Sequence, residues 1–95
     1  MTAKKILLDT DIGPDCDDAA ALALVNLYAN RGWIEVLGVT HCTSSPYGVG
    51  TIRAINRWYG HEYPVGTMRR EGFLTSPDCL RYSKALAETV PFAER

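Results

Sequence analysis

Ile6-Leu7-Leu8-Asp9-Thr10-Asp11-Ile12-Gly13-Pro14-Asp15-Cys16-Asp17-Asp18-Ala19-Ala20-Ala21 is the stretch on which the fold turns. Lys5 to Thr10 is a short apolar run that ends in polar residues. It has no hydrophobic alternation, so it reads as a strand buried on both faces, as in a parallel sheet. Gly13-Pro14 breaks the run, and Asp17 or Asp18 can then cap a helix through Ala19 to Tyr28, with Gly32 just beyond its end. The Ala-rich start of that helix permits close packing on a sheet.

Working outward, the strand-turn-helix pattern repeats. Ile34 to Thr40 reads as a second strand and Cys42 to Gly50, with Thr43, Ser44, Ser45, Pro46 and Gly48, as a polar loop at its carboxyl end. Ile52, Ile55, Trp58 and Tyr59 fall at helical spacing, with Gly60 as a stop, which predicts that Trp58 and Tyr59 pack the helix. Tyr63 to Thr67 is a short third strand. After a polar loop over Met68 to Thr75, Ser76-Pro77 has the cap-then-proline form of a helix start running toward Thr89. The order β-α-β-α-β-α predicts an α/β fold: a Rossmann-like, mostly parallel sheet with flanking helices and no internal boundary in residues 1–95. Ligands in such sheets sit outside the carboxyl ends of the strands.

Composition narrows the function classes. With 46% hydrophobic and 22% charged residues the chain is neither disordered nor fibrous, and a net charge of −1 gives no global field for nucleic acid or an anionic membrane. Three cysteines, Cys16, Cys42 and Cys79, are widely spaced without a CxxC pair, so they suggest neither a disulfide framework nor a zinc site. Cys16 and Cys42 read as small buried residues. No signal-peptide core or membrane span is evident, and the expected compartment is the cytoplasm.

The charge that matters is local. Five of the eleven acidic residues lie between Asp9 and Asp18, and no lysine or arginine occurs from Ile6 to Asn30. A carboxylate pair at ~4 Å repels by about 1 kcal/mol in water and about 4 kcal/mol at an effective dielectric near 20, whereas a helix N-terminus returns only ~0.3–1 kcal/mol per charge. Capping alone therefore does not account for the cluster. A hard divalent cation does, because Ca²⁺ takes roughly six to eight oxygen ligands. An EF-hand reading fails, since Gly13 stands where the third loop ligand is needed and Ala20 where a bidentate Glu is required. A phosphate-cradling loop fails too, with a single glycine among repelling acids.

Ile6-Leu7-Leu8-Asp9-Thr10-Asp11-Ile12-Gly13 followed by Asp17-Asp18-Ala19 resembles the N-terminal DxDxG…DD signature of the inosine-uridine-type nucleoside hydrolases. The resemblance extends more loosely through Leu37-Gly38-Val39-Thr40 and Pro64-Val65-Gly66. It implies a Ca²⁺-dependent enzyme that hydrolyses the N-glycosidic bond of ribonucleosides or related N-ribosides. By the same resemblance Asp11 is both a Ca²⁺ ligand and the catalytic base, Asp18 a second Ca²⁺ ligand, Asp17 the acceptor for ribose hydroxyls, and Asp9 a supporting carboxylate. The sequence departs from the shorter form of the motif where Pro14-Asp15-Cys16 separates Gly13 from the Asp pair, so Asp15 competes for a role. After the second strand it has His41-Cys42-Thr43-Ser44-Ser45 where the family often has a sugar-facing Asn.

The family chain is considerably longer, and its later segments supply further ligands, so the 95 residues by themselves are expected to be a partial domain with little activity. The expected partner is a small nucleoside or N-riboside, with neither nucleic acid nor membrane. A three-stranded sheet with an open edge also predicts a homo-oligomer or association with another chain. Two alternatives stay open: a haloacid-dehalogenase-like metal-dependent phosphotransferase, with the first Asp of a strand-end DxD as nucleophile, and a non-catalytic cation- or ribose-binding module. His41, at a strand end, reads as a hydrogen-bonded structural histidine; Arg69, Arg70 and His61 read as surface residues.

Overall fold

The computed structural model describes residues 3–13, 16–69, 71–75 and 81–89. Their element order is β1 (Lys4–Thr10), α1 (Asp17–Asn30), β2 (Ile34–His41), α2 (Gly48–Trp58), β3 (Val65–Thr67) and α3 (Arg81–Thr89). The three strands form one parallel sheet in the order β1-β2-β3, an α/β arrangement consistent with part of a Rossmann-like fold. The expected Ser76-Pro77 helix start lies outside the described residues, as do Pro14, Asp15, Arg70 and Cys79.

A bulge sets which residues face the helices. Ile6 pairs with Val36 but Leu7 pairs with Gly38, so Leu37 is the extra residue in β2. Val36 and Val39, three apart in sequence, thereby reach the same face, and both are buried. Against them pack Leu22 of α1 and Ile52 of α2, with Ile12 from the loop after β1 completing the buried core. Leu8, Val25, Ile34, Ile55 and Val65 pack around it. α2 also touches α1 and α3. Thr51 Oγ1 ties the last pair together, lying 2.9 Å from the Ser83 carbonyl and 2.8 Å from that of Tyr47.

The other face is largely open, which corrects the expectation that β1 is buried on both faces. Leu7 is 68% and Leu37 44% exposed. The apolar run lacks alternation in sequence, yet Lys5, Leu7 and Asp9 are exposed while Ile6 and Leu8 are half-buried. Two further expectations are corrected. Cys16, rather than Asp17 or Asp18, stands at the N-cap of α1, with no side-chain cap bond, and is exposed. Trp58 is 84% exposed, because α2 ends there and turns its buried side, Ile52 and Asn56, toward the core. His61, read as a surface residue, is partly exposed, stacked on Tyr63 with its Nε2 2.5 Å from Asn30 Oδ1. No helix among the described residues is long and apolar enough to cross a membrane.

Candidate functional site

The carboxyl end of β1 presents the acidic loop. Thr10 is buried at the strand end, and its hydroxyl donates to Asp18 Oδ2 at 2.6 Å while accepting the Ile12 N–H at 3.1 Å. The Asp11 backbone N–H donates to the same Asp18 oxygen at 3.0 Å. One carboxylate of α1 is thus clamped onto the turn that leaves β1. Gly13, buried with φ +138°, supplies the backbone conformation that lets this turn close. The buried Ile12 side chain anchors it from below.

This clamp brings Asp11 and Asp18 together. Hydrogen bonding from the Asp11 side chain holds the Asp18 carboxyl below the usual carboxylate range; Thr10 and the Asp11 N–H add to this, and partial burial works against it. Two carboxyl groups so close share a proton or a cation. Asp17, also in the first turn of α1, is exposed. Asp9 lies one residue before Thr10 and so points to the other face, where Thr40 Oγ1 donates to its Oδ1 at 2.6 Å. Asp15, the competitor for a ligand role, lies outside the described residues.

Cys42 reports on how these acids are arranged. Burial pushes its thiol up, and the charges of Asp9, Asp11 and Asp18 push it further, so all three carboxylates act on one half-buried group at the end of β2. A thiol held protonated is a poor nucleophile. Its backbone N–H bonds to the Thr10 carbonyl at 3.0 Å and extends the β1-β2 pairing to the rim of the site.

The loops that follow β2 and β3 line an open depression of about 330 Å³, with Thr43, Ser44, Ser45, Thr67, Arg69 and Glu71 among its residues. His41 bonds two of these lining residues. The imidazole is 2% exposed, with Nδ1 2.9 Å from Thr67 Oγ1 and Nε2 2.8 Å from Thr43 Oγ1. Burial lowers its pKa; the Ile12 carbonyl and the charge of Asp9 oppose that in part. A buried ring with both nitrogens engaged holds two hydroxyl-bearing loops in place, which agrees with its structural reading. A second cavity, of about 510 Å³ between the helices, is lined by Ala19, Ala23, Ile55, Trp58 and Leu86 among others, with neither carboxylate nor histidine among the described lining residues.

Thr10, Cys42 and Thr67 were not singled out by the sequence as parts of the site. Thr10 alone had a local signal, as the middle residue of Asp-Thr-Asp. Among the described residues no group of three or more His, Cys, Asp or Glu side chains is placed to hold a metal ion; the close pair is Asp11 and Asp18. Comparison with family models, curated proteins and solved structures finds no match to this chain.

Proposed function

We propose that the chain carries the acidic half of a Ca²⁺-dependent N-ribosyl hydrolase site, acting on ribonucleosides or related N-ribosides with water as nucleophile. The observation that carries this reading is the Asp11-Asp18 pair clamped by Thr10 at the carboxyl end of β1, on a sheet whose β2 and β3 are followed by loops lining a depression with Thr43, Ser44, Ser45 and Thr67. Hydroxyl-lined concavities suit a polyhydroxylated sugar, and carboxylates suit the positive charge that grows on a ribosyl group as the N-glycosidic bond breaks.

The donor set fits a hard cation. Asp11 and Asp18 offer only oxygen, the donor type that a hard divalent cation takes, and their side chains are hydrogen-bonded to one another. Asp11 and Asp18 would hold such a cation, and the chemistry it would supply there is a lowered pKa for water bound to it. Asp11, at the mouth of the turn, is the base that accepts a proton from the attacking water. Asp18 is kept anionic and immobile by Thr10 and the Asp11 N–H. Asp17, exposed in the same first turn, accepts hydrogen bonds from ribose hydroxyls, and Asp9 adds negative potential from behind Thr40.

The experiment combines Ca²⁺ titration calorimetry with an assay for ribose release from inosine and uridine, using the wild-type chain and Asp11→Asn. The reading requires Ca²⁺ binding and riboside cleavage that both fall in the variant; the partial ligand set makes the cleavage slow. A chain that binds no Ca²⁺ and cleaves no riboside would sink it. Release of phosphate from phosphomonoesters instead would move the assignment to a phosphotransferase, with Asp9 as nucleophile.

A further inference from the structure

β1 forms one edge of the sheet, and among the described residues nothing pairs with its outer side. Its seven residues, Lys4-Lys5-Ile6-Leu7-Leu8-Asp9-Thr10, are self-complementary when a second copy runs antiparallel. With Leu7 on the twofold axis, Leu7 meets Leu7, Ile6 meets Leu8, and Lys5 meets Asp9 of the other copy. Lys5, Leu7 and Asp9 share the open face, where Leu7 is 68% exposed. Lysine on an edge strand ordinarily discourages pairing. Here Asp9 stands opposite Lys5, at the roughly 4.5–5.5 Å Cβ spacing of directly opposed residues, while Lys4 at the strand start meets Thr10.

We propose that the chain dimerises through β1, forming a continuous six-stranded sheet in which two Lys5-Asp9 pairs flank a central Leu7-Leu7 contact. Pairing two edges satisfies the backbone groups that β1 leaves to water, and a twofold axis requires one patch to complement itself. Ile6 and Leu8, half-buried in one copy, are covered by their counterparts. The register also places Lys5 of the second copy beside Asp9, whose charge already acts on Cys42 together with Asp11 and Asp18. Association thus brings a cation to an acidic segment that has none of its own between Ile6 and Asn30. The pairing stands independently of the hydrolase reading.

Sedimentation velocity over a concentration series tests it, with far-UV circular dichroism to verify folding. The wild-type chain should sediment as a dimer. Lys5→Glu and Leu7→Lys, both at exposed positions, should weaken dimerisation by about tenfold or more. The exchange Lys5→Glu with Asp9→Lys should restore it. Should a variant not fold, hydrogen exchange on the wild-type chain gives the same answer: amides of residues 4–10 become more protected as concentration rises. A monomer at all concentrations, a dimer indifferent to both single substitutions, or an exchange that fails to restore association would overturn the proposal.

Discussion

The His41 imidazole occupies the space that a side chain on Gly48 would need. A Cβ built there collides with three atoms of the ring, so the strand-end histidine and the first residue of α2 fit together only because that residue is glycine. Gly48→Ala must displace a buried ring bonded to Thr43 and Thr67. Overpacking of this kind costs about 1–3 kcal/mol, and a urea melt should show that loss. A variant as stable as wild type would mean that His41 moves freely.

The same burial makes stability depend on pH. Folded His41 has a pKa below the ordinary histidine value of 6.5, so the unfolded chain takes up this proton first as pH falls. Stability from the neutral ring is therefore full above 6.5 and declines as pH drops from there toward the folded pKa. Urea midpoints measured at descending pH should fall through this window, and the fall should flatten in His41→Gln.

Asp18 gives the opposite range. Its folded pKa lies below the ordinary 3.8, so its contribution is full above that value and is lost as pH falls through the folded one. Asp18→Ala leaves the Thr10 hydroxyl and the Asp11 N–H without their acceptor, a loss of about 1–3 kcal/mol at neutral pH. The difference from wild type should shrink in strong acid. A constant difference at every pH would show that packing, not the carboxylate, is what the substitution removes.

Ca²⁺ should bind in preference to Mg²⁺, because clustered carboxylates suit a large, adaptable coordination shell better than a strict octahedron. Calorimetry should find weaker binding for Asp11→Asn and Asp18→Asn, with a smaller effect for Asp15→Asn. Equal losses at all three would mean that Asp15 shares the metal with the pair that Thr10 clamps.

Between α1 and α2 the buried Asn26 Nδ2 donates to Asn56 Oδ1 at 2.9 Å and to the Leu22 carbonyl at 3.0 Å. Asn26 Oδ1 and Asn56 Nδ2 are buried without partners among the described residues. Asn56→Leu alone removes an acceptor from Asn26 and should cost about 1–3 kcal/mol. In a double-mutant cycle with Asn26→Leu the pair should cost less than the sum, by about 0.5 kcal/mol or more. Strict additivity would show that the two amides do not act as a unit.

What the sequence determined by itself is the order of elements and the place of the acidic turn. Apolar runs, Gly13-Pro14 and the Ala-rich stretch are local signals, so β1, α1 and β2 fall within a few residues of their expected spans, and Gly32 and Gly60 end helices with φ +75° and +87°. Spacing alone also put Asp9, Asp11, Asp17 and Asp18 at one strand end. Only the tertiary structure decided which acids meet. Thr10 and the Asp11 N–H select Asp18, while the strand's two-residue alternation sends Asp9 to Thr40 on the opposite face. It also decided that Leu7 and Trp58 are exposed. A residue's periodicity says which side of its element it occupies; whether anything covers that side depends on the other elements, and here all the packing of α1 and α2 on β2 and β3 draws on one face of a three-stranded sheet.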